Sequence, residues 1–110
     1  MAISTNLPSR TATVAATADD QAITIPEGCD MLIITSDNAT ATNRTLTLVL
    51  GVSGQKCLLV NGSANDWEIA DASTTALDGN VTFSAGSIGD SLGLWCDGVA
   101  WYETGRMVLA

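Results

Sequence analysis

With 110 residues, 46% of them apolar and 15% charged, the chain can build one hydrophobic core and no more. Its charge content falls well below the roughly 25% of an average soluble domain. Twelve carboxylates against four cations give a net charge of −8. Because Arg10, Arg44, Lys56 and Arg106 are scattered, there is no basic stripe for nucleic acid or an anionic membrane.

In chain order, residues 1–12 are expected to form an extended N-terminal arm and residues 13–110 a single β domain. Ile3 and Leu7 are the arm's candidate apolar anchors on a partner, and Arg10 a candidate mate for a carboxylate there. Thr11 to Ala16 alternates small polar and apolar residues, as a first strand would. Ala22 to Pro26 reads as a second strand. Met31 to Ser36 is a third, apolar enough at its start to be covered on both faces. Asp37 to Arg44 is a polar loop. Thr45 to Leu50 alternates and places Leu46, Leu48 and Leu50 on one face. Gln55 to Val60 returns after a turn. Trp67 to Ala70 is short enough for an edge strand, Asp71 to Asn80 is a loop or one helical turn, and Val81 to Ser84 is another strand.

Two apolar runs then flank Asp97-Gly98, a pair suited to a two-residue type I′ turn. A turn centred there sets Cys96 against Val99, Leu94 against Trp101 and Leu92 against Glu103 on one face. On the other face, Trp95 meets Ala100 and Gly93 meets Tyr102. Gly105 is expected to end the hairpin, before an apolar strand from Arg106 to Ala110. Eight or nine short strands at regular spacing predict an all-β fold, a small antiparallel β-sandwich or barrel of jelly-roll type. Scarce charge, and large side chains on both hairpin faces, predict that part of the surface is covered by further copies in a trimer, with Trp95, Trp101 and Tyr102 in the core or the trimer contact.

Little in the sequence points to chemistry. The absence of histidine removes the commonest general base and the usual nucleophilic triads. Asp66 and Glu68 fall on one strand face but read as solvated charges. Asn61, Ser63, Asn65, Asp66 and Glu68 supply oxygen atoms on one loop, yet they miss the calcium-loop pattern and read as turn residues. Asn-x-Ser/Thr sequons begin at Asn38, Asn43, Asn61 and Asn80, a frequency expected by chance in so Ser-, Thr- and Asn-rich a chain. The widely spaced Cys29, Cys57 and Cys96 do not form a zinc pattern. With no signal-like segment, synthesis in a cytosol and reduced, unpaired thiols are expected. No catalytic group, metal or cofactor is predicted. An aromatic platform of Trp67, Trp95, Trp101 and Tyr102 for a sugar ring is the weaker alternative to packing.

The run from Val81 to Glu103 has a strand ending at Ala85-Gly86, then Gly89-Asp90-Ser91, an apolar strand with Trp95, Asp97-Gly98, and Trp101 two residues before Glu103. It resembles the closing segment of small bacteriophage virion modules found in tail fibres, tail tips and head-decoration proteins. The resemblance implies a trimeric, β-rich virion component without enzymatic activity, and carries over no site residues. A chain of this length with an arm looks like a capsid decoration, or cement, protein. Such a protein binds the major capsid protein on the outer shell as a homotrimer and stabilises the shell, with neither nucleic acid nor membrane as partner. A short tail or head-fibre subunit that binds a host surface, and a stand-alone carbohydrate-binding β-sandwich, are the other readings.

Overall fold

A computed structural model describes residues 10–37, 44–83 and 88–107. The anchors Ile3 and Leu7 therefore lie outside the described residues, as do the sequons at Asn38 and Asn43. No helix occurs among the described residues, and the fold is all-β. The strands are β1 (Thr11–Ala16), β2 (Gln21–Ile23), β3 (Met31–Ser36), β4 (Arg44–Leu48), β5 (Lys56–Asn61), β6 (Trp67–Ile69), β7 (Thr75–Ala76), β8 (Val81–Phe83), β9 (Ser91–Cys96) and β10 (Trp101–Met107). Since β1 begins at Thr11, the last two residues expected in the arm belong to the body.

The strands form a six-stranded sheet in the order β1-β3-β5-β9-β10-β7 and a four-stranded sheet in the order β2-β4-β6-β8. Through the first half of the chain, strands alternate between the two sheets and each pairs in parallel with the strand two places on. Thr11 meets Met31 and Met31 meets Leu58 in one sheet, while Gln21 meets Leu46 and Arg44 meets Trp67 in the other. This is solenoid-like stacking, closed by the antiparallel strands β8, β9 and β10. The expectation of an antiparallel sandwich or barrel is corrected accordingly. Strand composition and turn spacing signal strands but not the direction of pairing, and here the chain coils instead of folding back.

Alternation along each strand builds the core between the sheets. In the four-stranded sheet, in-register rows join Ile23 to Leu48 and Leu46 to Ile69 and Val81. Trp67 lies over Phe83, with ring centroids 4.1 Å apart and planes 15° apart. In the six-stranded sheet the matching row is Ala12, Leu32, Leu59 and Leu92. These residues belong to one cluster, to which Trp101 and all three cysteines contribute. Strand β6, expected at an edge, lies between β4 and β8. Leu50, expected inward with Leu46 and Leu48, is exposed because β4 ends at Leu48.

Trp101 pairs with Cys96, Tyr102 with Trp95, and Glu103 with Leu94. Each partner is thus two residues beyond the one expected, since the turn centres on Gly98-Val99. The faces survive a shift of two, so Leu94, Cys96 and Trp101 still point inward. Asp97 explains the slip: its carboxylate accepts the N–H groups of Val99 at 2.7 Å and Ala100 at 2.9 Å, holding the turn one residue later. Gly98 then takes φ 90°, at the position where a type II′ turn needs a positive φ. Gly98→Val is expected to cost about 1–3 kcal/mol, and a thermal melt would show it. Strand β10 runs through Gly105 instead of ending there, with a bulge between Glu103 and Gly105.

The same turn makes a pH prediction. The Ala100 and Val99 N–H groups, in that order, hold the Asp97 carboxyl below its ordinary value. A carboxylate with a depressed folded pKa adds stability at neutral pH that disappears as pH falls through that pKa. The acid limb of a melting-temperature profile is therefore expected to flatten in Asp97→Asn, which keeps an acceptor oxygen but cannot titrate.

Candidate assembly surfaces

Residues that alternate with the core point outward from the six-stranded sheet, and they are largely apolar. Met31, Leu58 and Gly93 form one row and Ile33, Val60 and Ser91 the next. A third row sets Lys56 beside Trp95 and Trp95 beside Tyr102. The Trp95 and Tyr102 rings lie 5.7 Å apart at 35°. The Tyr102 hydroxyl interacts with the Asp97 carboxylate, which pushes the phenol pKa up.

Between these rows a shallow groove of about 380 Å³ runs past Asp30, Lys56, Leu58, Gly93 and Thr104. Its floor depends on Gly93, where a Cβ would lie 2.6 Å from the Thr104 hydroxyl that the bulge delivers. The outcome for the aromatic candidates is divided. Trp95 and Tyr102 stand on this outer face, whereas Trp101 is fully buried and donates its indole N–H to the Val49 carbonyl at 3.0 Å. Trp67 is also fully buried, so no four-ring platform exists.

A second apolar surface lies at one end of the sheets, where the 49–54 loop meets the β9–β10 turn. A Cβ at Gly98 would sit 3.4 Å from the Ser53 Cβ, and Gly54 N–H donates to the Cys96 carbonyl at 2.7 Å. Val49 is 41% exposed, Leu50 41%, Val52 50% and Val99 73%. Gln55 anchors the loop. Its amide donates to the Ile25 carbonyl at 2.8 Å, and its carbonyl oxygen accepts the Val52 N–H at 3.1 Å. The sequence reading missed this tip. Its signal was the uncharged run from Thr45 to Gln55, in which Val49-Leu50 breaks the alternation just where the strand stops.

The charged and polar candidates serve other ends. Arg44 pairs with Asp37 at 3.1 Å and Asp19 at 3.9 Å, and Arg106 grips both Glu103 oxygens. Arg10 lies over Gly28, and its carbonyl accepts the Asp30 N–H at 2.8 Å, tying it to the body. Asn61 is fully buried and accepts the Trp67 indole N–H at 2.8 Å, so it is neither a calcium ligand nor an accessible glycan acceptor. Ser63 accepts the Ser36 N–H, and Asn65 donates to the Ser36 carbonyl. Glu68 receives the hydroxyls of Thr45 and Thr82 on the outer face of the four-stranded sheet. Among the described residues, no group of three or more His, Cys, Asp or Glu side chains is placed to hold a metal ion. No protein-family model matches the chain, and no curated protein matches it in sequence.

Proposed function

We propose that the chain is a non-enzymatic bacteriophage structural protein, a capsid decoration protein that sits on the outer shell as a homotrimer and stabilises it. The observation that carries this reading is the presence of two separate apolar surfaces on one small body. A cement protein needs two kinds of contact, one with its own copies and one with the shell. The outer face of the six-stranded sheet, with Met31, Ile33, Leu58 and Val60 flanked by Trp95 and Tyr102, suits the self-contact. Contiguous apolar surface of this kind marks interaction sites on small soluble proteins. The Val49, Leu50, Val52 and Val99 tip suits the major capsid protein, supplemented by the arm with Ile3, Leu7 and Arg10. The resemblance of Val81–Glu103 to virion modules supports the viral context; in this reading the protein sits on the capsid surface after synthesis in the host cytoplasm.

Counting copies on purified particles tests the proposal. Hundreds of copies per particle, in threefold clusters on the shell, are expected. A few copies confined to a tail or fibre support the fibre-subunit reading instead. The outward Trp95–Tyr102 pair beside a polar-edged groove favours one further reading, saccharide binding. Signal on a glycan array without particle association would establish it in place of decoration.

A further inference from the structure

Two of the three buried thiols are neighbours, although Cys29 and Cys57 lie 28 positions apart in the chain. The stacking of β3 on β5 brings them together. Leu58 N–H donates to the Asp30 carbonyl at 2.9 Å and Met31 pairs with Leu58, so Cys57 lies beside Asp30 and Cys29 one residue further back. Adjacent strands about 4.8 Å apart and a step of about 3.3 Å along the chain put such Cα atoms about 6 Å apart, inside the range a disulfide spans. Both side chains enter the same core cluster, at 5% and 4% exposure.

We infer that Cys29 and Cys57 form an oxidation site, in which a peroxide converts the two thiols into a disulfide that staples the turn before β3 to β5. Both sulfurs are within reach of a small oxidant: Cys29 lines an open groove of about 230 Å³ with Arg10, Thr11 and Pro26, and Cys57 lines the groove of about 380 Å³ beside Lys56 and Leu58. Burial, then the adjoining Cys29, push the Cys57 thiol up. In the first step one of the two sulfurs takes one peroxide oxygen, the O–O bond breaks, and a sulfenic acid and one water form. In the second, the other sulfur displaces the sulfenic oxygen, which leaves as a second water with that thiol's proton. Two thiols thus give up two electrons to one peroxide. Cys96 is the spare thiol, lying across from Gln55 with its sulfur accepting the Gly98 N–H at 3.4 Å. The inference stands whether or not the protein decorates a capsid.

The experiment treats the full chain with hydrogen peroxide, blocks remaining thiols in denaturant, and reads intact mass and peptide map. The expected result is a monomeric chain about 2 Da lighter from the loss of two hydrogens, with one blocked thiol at Cys96 and a melting temperature raised by several degrees. Cys96→Ala is expected to form the same bridge. Cys29→Ala is expected to lose it while remaining folded by circular dichroism; should that variant not fold, the wild-type peptide map decides alone. Three thiols surviving peroxide, sulfinic acid at Cys29 without a bridge, or a bridge involving Cys96 or a second chain would each overturn the inference.

Discussion

Trp67→Ala is expected to unfold the protein or lower its melting temperature by about 15 °C or more. Trp67 is fully buried, and two neighbours depend on it directly. Its ring stacks on Phe83, its in-register partner at the end of the four-stranded sheet. Its indole N–H satisfies Asn61, and Asn61 in turn bonds Asp90 and Gly89 through its backbone at 2.8 and 2.9 Å. Removing a buried Trp side chain costs about 3–5 kcal/mol through lost transfer energy and the cavity left behind. A chain of this size holds roughly 5–15 kcal/mol in total, and each kcal/mol moves the melting temperature of a small domain by about 4–8 °C. Trp67→Phe separates the two contributions. It keeps an aromatic partner for Phe83 and removes one donor to Asn61, for which a smaller loss of about 1–3 kcal/mol is expected. Equal losses in the two variants, read from urea denaturation curves, would mean that the hydrogen bond and not the stack dominates.

The strands themselves were legible in the sequence, and their pairing was not. Met31–Ser36 announces itself by a continuous apolar start, and the faces of Trp95 and Trp101 follow from a period of two for any two-residue turn between their strands. The coil does not announce itself. The step from Thr11 to its partner Met31 differs from the step between Met31 and Leu58, and Gln21–Leu46 and Arg44–Trp67 differ again. A repeat that changes length at every turn leaves no period to detect, so β6 looked like an isolated edge and its neighbours like hairpins. In the β9–β10 turn, Asp97-Gly98 and Gly98-Val99 are both acceptable centres by backbone preference alone. The Asp97 side chain decides between them by claiming the Ala100 N–H. The bulge that lays Thr104 over Gly93 is another side-chain outcome, which residue type at either position does not specify. The apolar sheet face was half visible: large side chains on both faces of the last hairpin pointed to it, but only parallel stacking of β3 and β5 beside β9 joins Met31, Ile33, Leu58 and Val60 to it.

That face gives the second large effect. Leu58→Glu is expected to turn the proposed trimer into a monomer while leaving the fold intact. Leu58 is half-buried and lies between Met31 and Gly93 on the outer surface of the six-stranded sheet, so a carboxylate there remains hydrated in the separated subunit. In the assembly it would be stripped of water against an apolar neighbour, once in every copy, on a chain whose net charge is already −8. An unpaired buried charge costs several kcal/mol, so a weakening of assembly on the order of 1,000-fold or more is expected. Thr47→Glu is the control. Thr47 is half-buried on β4, across from Ala22, on the opposite side of the molecule, and the same charge there should leave both the trimer and the melting temperature nearly unchanged. Sedimentation of the two variants at matched concentration discriminates. A trimer lost in Leu58→Glu alone places the self-contact on the six-stranded sheet. A trimer lost in Thr47→Glu alone moves the contact to the other sheet. A wild-type chain that stays monomeric at high concentration and lies as single copies on the shell removes the trimer from the proposal, and the apolar tip at Val49, Leu50, Val52 and Val99 is then the surface left to hold the protein in place.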